Sequence, residues 1–568
     1  MSQSPPLSPV RTSSLARWGP AAIVFLELMI CSAVQAPVPG VNEPQYLGKA
    51  AHLWNPAWAA GDMFLESSNP HLVFYLTVGW LTRFLSLEAT AWVARFFGYG
   101  VLAIGWTALA GKVVGTRIAA VPSAAIFLLL ASIGNLSGEW LVGGIEGKVF
   151  AYGLMFLAIV FWLEDRLIPV ALCLGGVISF HPIVGGWGLI CGLGAEIASR
   201  IIGLPSRNFS PKTLAVAGGL FLLMALPGAL PAAFTLGGAS HETAVATYLQ
   251  VFWRLRHHLD PTQFSAARYA GYAGLFVAWL CLFAVTRRLI PSRPASGPEG
   301  QEDEGSVRTP LTPGPSPQRR GEVMRGFFSR RSDSDDVTSA IDGRWLFFVA
   351  ATVVVAAIGV VVGWRSGSTW AMPLRDLRGT LLKFYPFRLA DVFVPLAFSL
   401  AVSRPIMGDA RLIARHSLRA IATTAVTISA FTASMAIPQP DRNPSRLSPE
   451  KLQAWKDVAA WARQNTPAGT VLVTPSRQWG FKWYSHRAEY VNFKDSPQDT
   501  PGLIEWKRRL DVLRNWWTSS PDGRYSKADL QRLGDETRSN YLVTYAYSGR
   551  FAAEPLYDNG VYRIYSLR

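Results

Sequence analysis

The sequence is poor in charge and in cysteine. Only 16% of its 568 residues are charged, whereas half are hydrophobic, and this balance excludes an ordinary soluble protein of this length. The four cysteines lie inside apolar segments without metal-type spacing, so neither a disulfide framework nor a zinc site is expected. They are Cys31, Cys173, Cys191 and Cys281. The composition predicts an integral membrane protein.

Nucleotide-binding motifs are also lacking. The glycines of "VGGIEG" and "GGWGLICGLG" follow no predicted strand and precede no Lys-Ser/Thr pair, so they indicate close helix packing rather than a phosphate loop. The net charge of +16 does not indicate nucleic acid, because Lys and Arg collect at the ends of apolar runs and in one low-complexity loop. We expect membrane lipids as partners, no nucleic acid and no nucleotide cofactor.

Long apolar runs are what the chain has in excess. Eleven of them approach or exceed the roughly 18 residues that cross a bilayer: 19–36, 89–111, 118–134, 149–163, 167–180, 182–199, 213–234, 269–287, 345–363, 387–403 and 417–437. Residues 71–85 are apolar too, but His71 and Arg83 bound a short core, which favours an interfacial helix. Leaving this segment uncounted gathers the basic clusters on one side, and it predicts a cytoplasmic N-terminus and an outer C-terminus. The first run is interpreted as an uncleaved helix; a cleaved signal peptide is the alternative.

The predicted fold is mainly α, a polytopic transmembrane bundle of about eleven spans with a small C-terminal α/β domain. Residues 1–290 form its N-terminal transmembrane part, with a first extracytoplasmic loop at 37–88. Residues 291–343 are rich in Pro, Gly, Ser and charge and predict a disordered cytoplasmic loop. Residues 344–437 supply the remaining helices. From 438–568 a helix, strand, helix, strand order predicts an extracytoplasmic α/β domain.

Candidate site residues lie in the predicted outer segments. The first loop contributes the acids Glu43, Asp62 and Glu66 and their neighbours Tyr46, Lys49 and His52. Later segments contribute Glu139, Glu146, Lys148, His181, Arg254, Arg256, His257, His258, Arg375, Arg378, Lys383, Arg388 and Asp391. Carboxylates at a membrane surface take a proton or hold a metal or a substrate, or they are simply solvated. Arg and Lys hold a lipid phosphate or extend to headgroups, and Glu146 with Lys148 fits a structural ion pair or a catalytic role.

Three segments in order resemble the GT-C superfamily of polytopic glycosyltransferases, to which protein O-mannosyltransferases and lipid A aminoarabinose transferases belong. They are "NEPQY" (42–46), "NPHLVFYLTVGWLTRFL" (69–85) and "ATAWVARFFGYGVLAIGWTALAGKVVGTR" (89–117). The C-terminal "WARQNTPAGTVLVTP" and "SHRAEYVNFK" resemble the outer tail of uncharacterised bacterial membrane proteins. The resemblance implies a multi-pass protein of the bacterial inner membrane that serves the cell envelope.

The resemblance also implies an activity and roles for residues. A sugar would pass from a polyprenyl-phosphate donor to a glycan, lipid or protein acceptor on the outer face of the membrane. Glu43 matches the acid of a family Asp-Glu pair and would be the general base, with Asp62 or Glu66 as a second acid. The basic residues would steady the leaving phosphate. A divalent metal at Glu43 and Asp62 is left open, since the ligand set is incomplete.

Two other hypotheses stay open. The first is a non-catalytic relative that binds or assembles surface polysaccharide, which Asn42 favours because many members of the superfamily carry Asp at this position. The second is a transporter, although the sequence shows none of the repeated halves that such proteins usually have.

Overall fold

The computed structural model describes residues 14–133, 135–235, 240–289, 333–407, 416–437 and 447–568. Its helices are α1 Ser14–Gln35, α2 Glu43–Trp54, α3 Met63–Glu66, α4 Leu72–Leu76, α5 Leu87–Val114, α6 Ala120–Ser132, α7 Gly147–Leu163, α8 Leu167–Phe180, α9 Pro182–Ile201, α10 Pro211–Phe234, α11 His241–Tyr248, α12 Arg256–Leu259, α13 Ala266–Leu289, α14 Asp333–Gly363, α15 Arg375–Leu382, α16 Arg388–Met407, α17 His416–Ala436, α18 Pro449–Asn465, α19 Phe481–Ser485, α20 Thr500–Thr518 and α21 Lys527–Thr537. Short 3-10 turns lie at Val78–Arg83, Arg117–Ala119, Pro261–Gln263 and Thr369–Ala371, and a π-helical segment lies at Leu249–Arg254.

Each of the eleven predicted spans corresponds to a helix. In the described ranges, eight helices are long and apolar enough to cross a membrane: α1, α5, α9, α10, α13, α14, α16 and α17. The other three apolar helices, at Arg117–Ser132, Gly147–Leu163 and Leu167–Phe180, are shorter. Residues 71–85 form only α4 and the turn Val78–Arg83, which are too short to span. The chain is therefore a polytopic, mainly α integral membrane protein.

Helix boundaries follow local capping chemistry. The hydroxyl of Ser86 accepts a hydrogen bond from the amide of Ala89 and starts α5, and Gly115, with a φ of +91°, ends it. Such a left-handed residue is the common C-terminal cap, because glycine carries no Cβ penalty there. In the interior, the fully buried Trp106 of α5 packs on Phe127 of α6 and Phe156 of α7 at ring distances of 5.0 and 5.7 Å.

The bundle end remote from the C-terminal domain is tied by ion pairs between helix ends. Arg344 in the first half of α14 meets Asp165 at 2.9 Å, and Arg404 near the end of α16 meets Asp342 at 3.1 Å. These are charges that the sequence places at the ends of apolar runs, where water and headgroups solvate them.

The C-terminal domain has an α/β fold, as predicted. Its strands are β1 Val471–Val473, β2 Ala488–Glu489, β3 Arg524–Tyr525, β4 Tyr541–Tyr545, β5 Arg550–Phe551, β6 Tyr557–Asp558 and β7 Tyr562–Ser566. Five form a sheet of order β2-β1-β4-β7-β6, parallel from β2 to β4 and antiparallel from β4 to β6, and β3 pairs with β5. Fully buried Trp455 of α18 and Trp506 of α20 pack in the domain core.

A buried charge cluster joins this domain to the loop between α1 and α5. The ammonium of Lys482 on α19 lies 2.7 Å from Asp62, 2.8 Å from Asp495 and 3.8 Å from Glu489. Asp62 also accepts a hydrogen bond from the backbone amide of Glu489 at 3.1 Å. All four side chains are at least nine-tenths buried, so the contact fixes the domain on the loop.

The predicted cytoplasmic loop, 291–343, lies largely outside the described residues. Its last part is described, and it is helical, because α14 already begins at Asp333. Apolar residues of α14 continue into the bundle core, where Trp345 and Val349 are fully buried.

Candidate active site

A cavity of about 1590 Å³ lies between the C-terminal domain and the adjoining end of the bundle. Its described walls come from six stretches of chain, within 41–75, 131–148, 178–190, 229–268, 383–388 and 477–498. Helix ends and loops that are far apart in sequence therefore meet here, where the predicted outer segments were expected to converge.

Two buried carboxylates face this cavity, and one lysine joins them. Lys148 Nζ lies 2.7 Å from Glu146 Oε1 and 3.5 Å from Glu139 Oε1. The side-chain amide of Asn42 donates to Glu146 Oε2 at 3.2 Å. The Lys148 ammonium also lies 3.6 Å from the centre of the Trp140 ring, a cation–π distance. Each carboxylate thus has a cation within ion-pair reach.

Further contacts connect Glu139 to Tyr46. Arg388 Nε lies 3.1 Å from Glu139 Oε2, and Arg388 Nη1 lies 2.7 Å from His181 Nε2. Since a guanidinium only donates, His181 Nε2 is the acceptor. The rings of His181 and His71 are 5.3 Å apart, and the Tyr46 hydroxyl is 3.2 Å from His71 Nε2.

We name these side chains the polar chain: Asn42, Tyr46, His71, Glu139, Glu146, Lys148, His181 and Arg388, all of which line the cavity.

Burial and charge set the protonation of the polar chain. Burial alone would raise the pKa of Glu146, but Lys148, Arg388 and Asn42 together hold it below its ordinary value. Burial lowers the pKa of His71 to about 4, and it raises the pKa of Tyr46 well above its usual range. Near neutral pH, Glu146 is therefore ionised while His71 and Tyr46 are uncharged.

Lys383 is a cation that faces the cavity without a partner. Its side chain is 9% exposed. Within the described part of the chain, this side chain makes no hydrogen bond or ion pair. The carboxylate of Asp499 raises its pKa. Burial is the larger effect and lowers the pKa of Lys383 overall. A buried ammonium without a counter-ion is costly, so this position suits an anionic ligand.

One wall of the same cavity is apolar. Ile178 of α8, Ile183 and Ile190 of α9, and Ala229 and Ala232 of α10 line it. Because α9 and α10 are candidate membrane spans, this wall belongs to the part of the bundle that lipid surrounds. The cavity thus combines a charged region with an apolar one and matches an amphiphilic ligand.

Glu43, the predicted general base, does not line the cavity. It is fully buried and paired with Arg95 of α5, whose Nε and Nη2 donate to its two oxygens at 2.7 and 2.9 Å. The backbone amides of Gly40 and Ile145 donate to the same oxygens at 2.6 and 2.9 Å. Four donors occupy the carboxylate, so Glu43 has no open oxygen for a substrate proton.

The two other predicted acids of the first loop also lie off the cavity wall. Asp62 caps α3, accepting from the amides of Phe64 and Leu65, and pairs with Lys482. Glu66 accepts from the amide of Gly61 at 2.6 Å. Both carboxylates therefore hold local structure.

Four predicted binding residues stand apart from the cavity as well. Lys49 donates to the carbonyls of Phe64 and Ser67 inside the first loop, and His52 contacts a neighbouring carbonyl at 2.9 Å. Arg375 pairs with Asp376, and Arg378 donates to carbonyls at the end of α14. The predicted residues that the structure does bring together are Tyr46, Glu146, Lys148, His181, Lys383 and Arg388.

Several lining residues had no individual role assigned from the sequence. Glu139, Arg254, Arg256, His257 and His258 were visible only as charges of outer segments, whereas Arg268, Arg477 and Lys494 gave no local signal. Asn42 and His71 lie within the segments that resemble the GT-C superfamily, and that position in the motifs is the signal that marks them.

The loop before α7 carries Glu139 and Glu146, and buried hydrogen bonds position it. Asp391 accepts from the amides of Leu136, Ser137 and Glu139 at 3.0, 2.9 and 3.3 Å. Farther along, Glu43 accepts from the amide of Ile145, as described above. Glu43 and Asp391 thus act on the site through the backbone that carries its carboxylates.

In the described ranges, no group of three or more His, Cys, Asp or Glu side chains is arranged to hold a metal ion. Glu43 and Asp62, between which a divalent metal was left open, belong to separate ion pairs, with Arg95 and Lys482.

Fold and site together define an integral membrane protein in which a charged cavity lies under a small α/β domain. A family model described as a domain of unknown function, DUF6798, matches residues 453–513, within the C-terminal domain. No curated protein matches the chain.

Two solved structures of ArnT from Cupriavidus metallidurans are similar to the chain. The crystal structure bound to undecaprenyl phosphate has 10% identity and a TM-score of 0.44, and the apo structure has 11% identity and a TM-score of 0.37. Each alignment covers 98% of this chain and 99% of the other. Both TM-scores are below 0.5, so this likeness implies nothing about function.

Proposed function

We propose that this protein is a membrane glycosyltransferase that moves a sugar from a polyprenyl-phosphate donor to an acceptor on the outer face of the bacterial inner membrane. The observation that carries the proposal is Lys383, a nine-tenths-buried cation that faces the cavity without an ion-pair partner in the described residues. Since the cavity also has an apolar wall on α9 and α10, it supports a ligand that is both anionic and lipidic.

The polar chain supplies the reacting groups. The acceptor hydroxyl oxygen would attack the anomeric carbon, the bond from that carbon to the phosphate oxygen would break, and polyprenyl phosphate would leave with the bonding electrons. Glu146 would take the hydroxyl proton, because it is ionised and faces the cavity. Asn42 orients its carboxylate through the 3.2 Å hydrogen bond.

The cations would offset the charge that grows on the leaving phosphate. A phosphodiester carries one negative charge and the departing phosphate monoester a second, so positioned cations stabilise the transition state more than the ground state. Lys383 and Arg388 line the cavity on either side of Tyr385 in sequence, and Arg388 stacks on that ring at 4.2 Å. Both cations thus come from one short connection between α15 and α16.

Glu146→Gln tests the assigned base. We expect transfer from a polyprenyl-phosphate sugar to a cell-envelope extract, measured in proteoliposomes, to fall by about 100-fold or more, the scale of lost general-base catalysis. Glu66→Gln is the matched control, since that acid lies in an outer loop away from the cavity wall. Equal loss in both variants, or none in Glu146→Gln, would reject Glu146 as the base.

Asn42 favours a second candidate, a non-catalytic component that binds lipid-linked glycan. It lines the cavity beside Glu146, at a position where relatives often carry Asp, and an amide accepts no proton from a hydroxyl. Polyprenyl phosphate that co-purifies with the wild-type protein, with no turnover over any added acceptor, would support this candidate. Activity gained by Asn42→Asp in the same assay would show that the position controls catalysis.

A further inference from the structure

Five cations gather on a part of the cavity wall that the proposed reaction does not use. They come from the segment before α13, from α13 itself and from the C-terminal domain, and we name them the cationic mouth: Arg254, Arg256, Arg268, Arg477 and Lys494. Arg256, Arg268 and Arg477 are exposed. The mouth is therefore open to a ligand that enters from outside.

His257 shows that most of these cations lie close together. Burial lowers the pKa of His257 to about 4, and the charges that lower it further are those of Arg254, Arg256, Arg268 and Lys494. No carboxylate is among these causes. His257 therefore lies in a positive potential.

The cavity carries more positive charge than the phosphate of the donor needs. Eight Lys and Arg side chains and two Glu side chains line the cavity in the described part of the chain. Glu139 and Glu146 are balanced by Lys148 and Arg388, and Lys383 balances the single charge of a phosphodiester. The five cations of the mouth are additional to these.

Three cations of the mouth have no acidic partner in the described part of the chain. Arg254 donates to the carbonyls of Phe493 and Lys494 at 2.9 and 3.1 Å, which ties the segment to the C-terminal domain. For Arg256, Arg268 and Arg477, no described carboxylate lies within ion-pair distance, and Arg477 faces the Phe493 ring at 5.9 Å. Like charges held together without counter-ions repel, so a polyanion bound here would relieve that repulsion.

Aromatic rings accompany these charges. The ammonium of Lys494 lies 4.9 Å from the centre of the Trp479 ring, and Trp253 and Trp479 both line the cavity. An aromatic face with nearby cations suits a sugar that carries acidic groups.

We propose that the cationic mouth is a second anion-binding subsite, which takes the acidic groups of the acceptor, a glycan or glycolipid with several carboxylate or phosphate groups. This inference rests on the proposed function, because it assigns the mouth to the second substrate of that reaction. The elements that form the mouth differ from α9 and α10, whose apolar wall suits the lipid chain of the donor.

Binding titrations of the full-length protein in neutral detergent with four ligands separate the sites. Farnesyl phosphate reports the donor region, pentagalacturonate and inorganic tripolyphosphate report the mouth, and maltopentaose is the uncharged sugar control. We expect the double variant Arg256→Gln with Arg268→Gln to weaken the binding of the two polyanions by about tenfold or more, and the binding of farnesyl phosphate by less than twofold. Lys383→Gln should show the opposite pattern.

The control variant is Arg514→Gln with Arg524→Gln, which removes the same charge from arginines that are 66% and 69% exposed and lie off the cavity wall. Its affinities should equal those of the wild type. If both double variants weaken polyanion binding equally, the binding reflects net charge alone and the inference is overturned. The inference is also overturned if the wild type binds maltopentaose as tightly as it binds the polyanions.

Two further outcomes show whether the proposed donor or the proposed anion subsite is wrong. If farnesyl phosphate does not bind but the polyanions bind through the mouth, the proposed donor fails and the anion subsite stands. If the mouth variant loses only its retention of anionic phospholipid in nanodiscs, with polyanion binding unchanged, the mouth is a headgroup site and the inference is overturned.

Discussion

At the residue scale, Glu43 and Glu146 are two buried glutamates with different roles, one structural and one facing the cavity. Both are buried, but Glu43 accepts from four donors and Glu146 presents its carboxylate to the cavity. A carboxylate whose lone pairs are all engaged stabilises the structure, whereas one that faces a cavity remains available for chemistry.

Glu43→Gln should therefore be a stability variant. It leaves the guanidinium of Arg95 buried without a counter-charge, and breaking such a pair costs about 3–5 kcal/mol. We expect a clearly lower thermal unfolding midpoint in detergent, measured by tryptophan fluorescence. Glu146→Gln is the comparison, since Glu146 has fewer donors; a Glu43→Gln protein with wild-type stability and no transfer activity would instead restore Glu43 as the base.

His71 gives the stability a defined pH dependence. Its folded pKa is about 4, below the ordinary 6.5, so the unfolded chain takes a proton as pH falls through 6.5 while the folded protein does not until about 4. Stability is therefore complete above pH 6.5 and is lost as pH falls toward 4, by about 3 kcal/mol at 1.36 kcal/mol per pKa unit.

We expect His71→Gln to flatten the fall in unfolding midpoint between pH 7 and pH 4. The pKa values of His257 and His258 are lowered too, so some slope will persist. His241→Gln, at an exposed position on α11, should reproduce the wild-type profile. A His71→Gln profile parallel to the wild type would mean that this imidazole is not held neutral.

At the scale of elements, the first loop and the loop before α7 approach through two glycines. A Cβ added at Gly40 would lie 2.7 Å from the Gly144 Cα and 3.0 Å from the Arg95 guanidinium. No side chain fits between these backbones, and this close approach lets the amides of Gly40 and Ile145 both reach Glu43.

Gly40→Ala should thus disturb stability and the site together. Overpacking costs about 1–3 kcal/mol, and displacement of the Gly144 segment moves Glu146, so both the unfolding midpoint and the transfer rate should fall. Gly100→Ala on α5 is the control, because a Cβ there meets no atom within 4 Å and alanine favours helix by about 1 kcal/mol. Equal effects of the two substitutions would contradict the packing explanation.

The elements differ in how far the sequence determines them. Helices such as α10 and α14 follow from long apolar runs, since the bilayer demands length and hydropathy. The short helices of the first loop carry no such pattern. Asp62 caps α3 locally, and the Glu43 and Asp62 carboxylates hold α2 and α3 through partners far away in sequence. Local propensity alone is a weak predictor of such elements.

At the scale of the whole molecule, the sequence predicted the region of the cavity and six of its lining residues, but not which acids face it. The outer segments that it identified do converge, because alternating spans bring their loops to one end. Whether a given acid faces the cavity depends on partners far away in sequence, such as Arg95 for Glu43 and Lys482 for Asp62. One sequence contains no signal for such pairs.

The position of the C-terminal domain depends on Lys482, whose ion pairs hold this domain against the first loop. Lys482→Gln leaves Asp62, Glu489 and Asp495 together without a cation, and this loss should cost about 3–5 kcal/mol. Burial already raises the pKa of Glu489 to about 7, so protonation at low pH should relieve the repulsion among the three acids. The difference in unfolding midpoint between the variant and the wild type should therefore shrink from pH 8 to pH 5. Exposed Lys451→Gln is the control. A deficit that does not change with pH would show that lost packing, rather than the acidic cluster, destabilises the domain contact.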